Sequence, residues 1–374
     1  MDLLYVYPTW HTVSFTVVAR KHVEYLKRLQ GVRVHEVDEL GFTSYAPQLR
    51  YAAIIHPWIF IYHRLLTARR EALIPELQGR FDEYMRWWRG RFDRLVGVDV
   101  CDSDALSPYA VELLNGADRL VVPSSFAVEV YRKSGVKVPV FRVPHGVNPD
   151  WYYSTNVWET APVKAVNPAL LEAYLHKARR GKRVLLYWLW HSPDRKGWPE
   201  VKQLYERLAR ERRDVVLALK TMGPGSAEYQ QVMHLGAIQI YGWLGDYDKM
   251  ALYDLADLAL NFSRGGGFEL NCLEALARGV PCLATGWGGW RDYVPTFLQV
   301  KLGERVQVLP GNVIHVGYGY KADVEDALNK VHDVLENYED YKARLDEYRR
   351  EVLAREYRWD LVAERLLEAV KGGG

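Results

Sequence analysis

Cysteine is scarce: Cys101, Cys272 and Cys282 are the three in 374 residues. An odd count without metal-like spacing supports neither a disulfide framework nor a zinc site, and leaves small buried apolar residues as the expected role. A surplus of one charge is also missing, because 49 Lys and Arg face 47 Asp and Glu, so no global field points to nucleic acid. No stretch approaches the ~20 uninterrupted apolar residues of a membrane-spanning helix. The start, MDLLYVYPTWHT, lacks the charged segment and long apolar core of a secretory signal and reads as a first strand. A cytoplasmic protein is expected. Short repeats and low-complexity tracts are absent as well. What is plentiful is aromatic: 13 Trp and 25 Tyr, which serve sugar stacking, interfaces and large cores alike.

The densest signal is residues 261–297, NFSRGGGFELNCLEALARGVPCLATGWGGWRDYVPTF. An apolar strand end (Leu258, Ala259, Leu260) runs into Gly265, Gly266 and Gly267, where missing side chains let backbone N–H groups approach a ligand. A helix is predicted from about Asn271 to Arg278, with Leu273, Leu276 and Ala277 at helical spacing, Gly279 as its stop and Pro281 beyond. Its N-terminus faces the glycine loop, the geometry that holds a phosphate or diphosphate. Glu274 would be repelled by phosphate alone, but can reach the sugar hydroxyls of a nucleoside diphosphate-sugar. A strand (Cys282 to Thr285) and a second glycine turn (Gly286, Gly288, Gly289) follow.

A chain of this length is expected to split into two domains. Strands at Leu3–Tyr7, Val32–Val37, Ala53–Ile55, Leu95–Val100, Leu120–Val122 and Val140–Val143 alternate with helices, the pattern of a parallel doubly wound sheet. A second series holds Val184–Leu189, Val215–Lys220, Ile238–Tyr241 and Leu258–Phe262. The expected organisation is a Rossmann-like domain over 1–150, a connection over 151–181, a second Rossmann-like domain over 182–354 and a closing helix within 355–374, with the ligand in a cleft between the domains. The Arg- and Trp-rich stretch 64–92 reads either as solvated helices with snorkelling arginines or as a peripheral contact with anionic lipid.

Several segments together resemble the retaining GT-B glycosyltransferases of the glycogen synthase and bacterial mannosyltransferase group, family 4-like. They are VVPSSFAVEVYRKSGV (121–136), VFRVPHGVNPDWY (140–152), RVLLYWLWHSPDRKGWPEV (183–201), IYGWLGDYDKMALYDLADLALNFSR (240–264), the glycine motif, and REYRWDLVAERLLEAV (355–370). The resemblance covers about 118–370; the first hundred residues match in fold pattern alone. It implies an α/β GT-B fold, two Rossmann-like doubly wound domains facing a central cleft, with the closing helix crossing back to the first domain. It further implies transfer of a sugar from a nucleotide diphosphate-sugar, with retention and without a required metal or other cofactor, to a carbohydrate, lipid-linked or small-molecule acceptor.

Carried over by position, Lys196 is the cation on the donor diphosphate. The family's arginine five residues earlier is His191 here, so Arg195 or Arg264 is a candidate for the missing charge. Glu274 matches the second glutamate of the Glu-x7-Glu motif, expected on the ribose hydroxyls. The first would fall at 266, which is glycine. Glu269 stands where the family has a second glycine, so the catalytic acid has either moved three residues along or been lost. Gly266, Gly267, Phe268, Leu270 and Asn271 line the donor loop. Where the family often has a histidine in its first domain, this chain has Asp99, Asp102 and Asp104. They are candidates for acceptor binding, Asp102 foremost as a catalytic residue, or for capping the helix that follows. His11 and His145 are further cleft candidates. The alternative implied by Gly266 is a noncatalytic nucleotide-sugar-binding protein or partner subunit.

Overall fold

The computed structural model describes residues 1–11, 13–41, 51–67, 81–160 and 168–372. The chain forms two compact units. Unit 1 comprises Met1–Gly146, Pro310–Gly317 and Glu356–Gly374; unit 2 comprises Val147–Leu309 and Tyr318–Arg355.

Unit 1 is built on six strands: β1 (Asp2–Tyr7), β2 (Arg33–Asp38), β3 (Ala52–Ile55), β4 (Arg94–Val98), β5 (Arg119–Val122) and β6 (Val140–Arg142). They lie in the order β2-β1-β3-β4-β5-β6, every pairing parallel. β1 is buried throughout, which is why Leu3–Tyr7 reads as an unbroken apolar run: helices cover both faces of a parallel sheet. The edge strand β2, RVHEVD, is partly exposed and charged, a composition that discourages pairing with another chain. The helix Ser14–Leu26 buries Val18, Ala19, His22, Val23 and Leu26, the i, i+4 stripe of an amphipathic helix, and packs on the helix Trp359–Lys371. That second helix ends against two cations. Arg119 donates to the Ala369 carbonyl at 2.9 Å, and Arg94 to the Val370 carbonyl at 2.6 Å, where positive charge complements the helix dipole.

Within 64–92, Leu65, Met85, Trp88 and Phe92 are core residues, Arg64 pairs with the buried Glu39, and Arg91 lies over the Trp87 ring. Residues 68–80, with Arg69, Arg70 and Arg80, lie outside the described residues. Among the described residues no helix is long and apolar enough to cross a membrane.

Unit 2 repeats the architecture with β7 (Arg183–Leu189), β8 (Val215–Thr221), β9 (Ile238–Tyr241), β10 (Leu258–Asn261), β11 (Cys282–Thr285) and β12 (Gln299–Val300). The order is β12-β11-β10-β7-β8-β9, again parallel. The helix Trp198–Glu211 buries Trp198, Val201, Leu204, Tyr205 and Leu208, the helical spacing of one face. The stretch 151–181 carries the helices Val157–Thr160 and Pro168–Arg180, and its start is fastened within unit 2 by Arg278. This guanidinium donates to the Trp151 carbonyl at 3.0 Å, to Ser154 Oγ at 2.6 Å and to both oxygens of Asp254 at 2.8 and 2.7 Å. An antiparallel pair, β13 (Leu302–Gln307) and β14 (Tyr318–Ala322), completes the unit. The residues joining them, 310–317, group with unit 1. There the Ser107 amide and hydroxyl donate to the carbonyls of Ile314 (2.9 Å) and Val313 (2.6 Å).

Candidate functional site

In unit 2 the strand order reverses between β7 and β10. Loops leaving the carboxyl ends of two such strands run apart and open a crevice there. The loop after β7 ends in a short helix, Pro193–Lys196, closed by Gly197 at φ 80°. A Cβ on Gly197 would come 2.0 Å from the Phe262 carbonyl oxygen, so glycine alone lets this loop lie against the end of β10. The Arg264 amide donates to the Arg195 carbonyl at 2.7 Å, and Tyr187 Oη to the Lys196 carbonyl at 2.9 Å. Backbone contacts therefore fix Lys196 before its side chain is considered.

Lys196 Nζ donates to both carboxylate oxygens of Glu269, at 2.8 and 2.7 Å. Ser263 Oγ donates to Oε1 of the same group at 3.0 Å, and Tyr293 Oη donates to the Glu269 carbonyl at 2.7 Å. Glu269 is buried and directly precedes the helix Leu270–Ala277, where the helix dipole also favours an anion. A Cβ on Gly266 would lie 2.9 Å from Glu269 Oε1 and 3.3 Å from the Trp290 ring. The Glu269 carboxylate thus fills the space beside position 266.

Glu274, also buried, accepts from Lys249 Nζ and Tyr253 Oη, each at 2.8 Å. These partners stand four residues apart on the helix Asp246–Leu255, hence on one face. Burial, then the neighbouring carboxylate, holds the Tyr253 phenol well above its usual range. Farther along the sheet, Lys220 is buried, donates to the carbonyls of Thr221 (3.0 Å) and Gly242 (2.6 Å), and faces the rings of Trp188 and Trp190 at 5.2 and 5.1 Å. Burial lowers its ammonium to about 8.

Of the sequence candidates, Lys196, Arg195, Gly266 and Glu269 come together. Arg195 is buried and donates to the Gly265 carbonyl at 3.1 Å. Arg264 Nη2 donates to both carboxylate oxygens of Glu200, at 2.9 and 3.1 Å. The Phe268 ring packs on Tyr293, with centroids 4.7 Å apart; Gly267 precedes it in the loop, and Leu270 and Asn271 open the helix. His191 is exposed, its Nδ1 2.9 Å from Ser192 Oγ. Ser263, Tyr293, Lys249, Tyr253 and Lys220 were missed by sequence reasoning. For Lys249 and Tyr253 the i, i+4 spacing was an available signal; for Ser263 and Tyr293 there was none.

His11, Asp102 and His145 belong to unit 1. His11 stacks near Trp10, with ring centroids 3.6 Å apart. The Asp102 amide lies 3.4 Å from His315 Nδ1. Asp99 does not cap the helix that follows, whose cap is Ser107: its carboxylate accepts from the amides of Ile59 (2.5 Å) and Val100 (2.8 Å), at the start of the earlier helix Trp58–Thr67. Burial pushes it up to about 7 against those two hydrogen bonds. His145 joins His22 and His56 as buried rings, with Tyr5 Oη 2.8 Å from His22 Nδ1 and 3.1 Å from His56 Nδ1. Burial lowers all three, His22 to about 3 and the others well below the usual histidine range.

Two doubly wound parallel sheets, with a lysine–carboxylate site at the switch point of the second, define a GT-B glycosyltransferase architecture. The profile "Glycosyl transferases group 1" matches residues 184–304, and "Family 4 Glycosyltransferase in conflict systems" matches 248–366. Protein 356 of Sulfolobus islandicus rod-shaped virus 1 is 31% identical over 350 residues, covering 92% of this chain and 91% of its own. "Putative glycosyltransferase 45" of Sulfolobus islandicus filamentous virus is 25% identical over 310 residues, 78% of this chain and 79% of its own. The UDP-forming trehalose-phosphate synthase of Burkholderia xenovorans shares the fold at a TM-score of 0.64 with 13% identity, covering 99% of this chain and 98% of that one. The chain belongs to the group 1, family 4-type glycosyltransferases.

Proposed function

We propose that the protein transfers a sugar from a nucleotide diphosphate-sugar, with retention of anomeric configuration and without a metal, to a carbohydrate, lipid-linked or small-molecule acceptor. The observation that carries this reading is the convergence of Lys196, Glu269 and Ser263 at the carboxyl end of the β7/β10 switch point. Lys196 and the N-terminus of the helix Leu270–Ala277 stabilise the departing diphosphate. Glu274 takes the ribose hydroxyls, with Lys249 and Tyr253 orienting it. Glu269 is the acid beside the transferred sugar, replacing the one missing at 266. Asp102 and His11 are the acceptor candidates in unit 1, and segment 64–92 is the candidate for peripheral membrane contact.

Incubation with UDP-, GDP- and ADP-sugars tests the reading, following thermal stabilisation for binding and NMR of the product for its anomeric configuration. One donor should raise the unfolding temperature and be consumed with retention; inversion, or no stabilisation by any of them, would remove the proposal. The glycine at 266 favours a second reading, a noncatalytic nucleotide-sugar-binding protein. Donor binding without turnover on any acceptor class would select it.

A further inference from the structure

Lys196 is asked to do two things with one ammonium group. Its Nζ already holds both oxygens of Glu269, at 2.8 and 2.7 Å, while the donor-site reading places the same group on a diphosphate. The two anions cannot share it at full strength. The carboxylate has a second tether, Ser263 Oγ at 3.0 Å, and Oε1 lies 2.9 Å from where a Cβ on residue 266 would begin.

We propose that Glu269 is a resident anion standing in for the donor diphosphate on Lys196, and that donor binding exchanges one for the other. The ammonium moves from the carboxylate to the diphosphate. The released carboxylate, still tethered by Ser263, turns over Gly266 toward the transferred sugar. This rests on the donor-site reading and deepens it into a regulated step: the acid is presented only when a donor has claimed the lysine.

Electrostatics supports the exchange in both states. A buried carboxylate without a counter-charge is costly, and the half-buried ammonium supplies one, so the resting pair keeps Glu269 compensated before the donor arrives. A diphosphate carries more negative charge than a carboxylate and therefore competes effectively for the lysine. Glycine at 266 follows from the same geometry, since a Cβ there would lie 2.9 Å from Oε1 of the carboxylate and hinder its turning.

The exchange makes a prediction of opposite signs. Calorimetric titration of UDP, GDP and ADP into the full chain should show Glu269→Gln binding its preferred nucleotide about ten- to a hundredfold more tightly than wild type, the scale of a charged hydrogen bond released from competition. Turnover of the corresponding sugar donor should fall by at least about a hundredfold. A merely structural glutamate would not tighten nucleotide binding when replaced. In the double variant Glu269→Gln/Lys196→Ala the gain should vanish. Glu269→Ala serves as a second variant should the glutamine form not fold. In wild type, the 15N resonance of the Lys196 ammonium should shift on nucleotide addition. Equal or weaker nucleotide binding by both Glu269 variants, or an unmoved ammonium signal, would overturn the exchange. If Lys196→Ala instead binds nucleotide as wild type does, or wild type binds none of the three, the donor-site reading itself falls.

Discussion

The two units carry the same parallel sheet and different buried groups near their switch points. In unit 1 the order reverses between β1 and β3, and beneath it Tyr5 meets the buried rings of His22 and His56, with His145 beside His22 at a centroid distance of 6.3 Å; the Arg64–Glu39 pair supplies charge there. In unit 2 the corresponding reversal holds Lys196 with Glu269, and the neighbouring Glu274 is held by Lys249. Burial acts on both sets, with different outcomes. Histidine escapes the cost of a buried charge by giving up its proton, whereas lysine and glutamate at neutral pH meet that cost by pairing. A paired site retains full charges that an anionic ligand can redirect; a neutral site does not. The sheet alone therefore does not decide where an anion binds.

The strongest way to break this contrast is to remove the charges of unit 2. Lys196→Ala should lower turnover by about a hundred- to a thousandfold, as loss of a transition-state anion partner does, and Glu274→Ala should mainly weaken nucleotide affinity; steady-state kinetics and calorimetry read both. Next in size is Gly197→Ala. With φ at 80° and a Cβ position 2.0 Å from the Phe262 carbonyl, it should destabilise unit 2 by roughly 3 kcal/mol, seen in denaturant unfolding.

A smaller, pH-dependent effect belongs to unit 1. His22, His56 and His145 have folded pKa values below the unfolded one, so they contribute stability that is complete above the unfolded histidine pKa of about 6.5 and falls away below it. The loss is about 1.4 kcal/mol per pH unit for each ring kept neutral. Asp99, raised to about 7, acts with the other sign: its burial penalty is relieved as pH falls from 7 toward 4. Lowering pH from 7 to 5 should reduce the unfolding temperature, and Asp99→Asn should steepen that reduction. A flat profile would mean the three rings do not stay neutral. Smallest of all, His191→Ala should leave nucleotide affinity within about twofold, because that ring is exposed and contacts the adjacent Ser192.

Much of this arrangement was legible in the chain. Strands such as Leu3–Tyr7 and Val215–Thr221 are buried on both faces, and that burial writes itself as an apolar run. The helix Trp198–Glu211 announced itself by spacing, and the GT-B fold and glycosyltransferase family by the segments that resemble it. Lys196, the glycine loop and Glu274 could be marked because local punctuation surrounds them. What holds them could not. Tyr293 reaches Glu269 across 24 positions and Lys249 reaches Glu274 across 25, and no local pattern encodes which distant side chain a loop will meet. Asp99 shows the same limit: it caps a helix that precedes it by about 40 residues, not the one that follows. The glycine at 266 was read as a gap, yet the space beside it is filled by the carboxylate three residues along.

The connection between β13 and β14 bears on how the chain is made. Unit 1 is discontinuous: it needs residues 310–317, whose carbonyls accept from Ser107, and the helix Trp359–Lys371, whose Trp359 ring lies 5.7 Å from His22. During synthesis the first 146 residues emerge long before either piece exists. Unit 2 can close as soon as residue 355 has left the ribosome, whereas the unit that begins first is finished last, when the final helix arrives. Cutting the gene after residue 146 would therefore release all six strands of the sheet without the helix Trp359–Lys371 that packs on Ser14–Leu26.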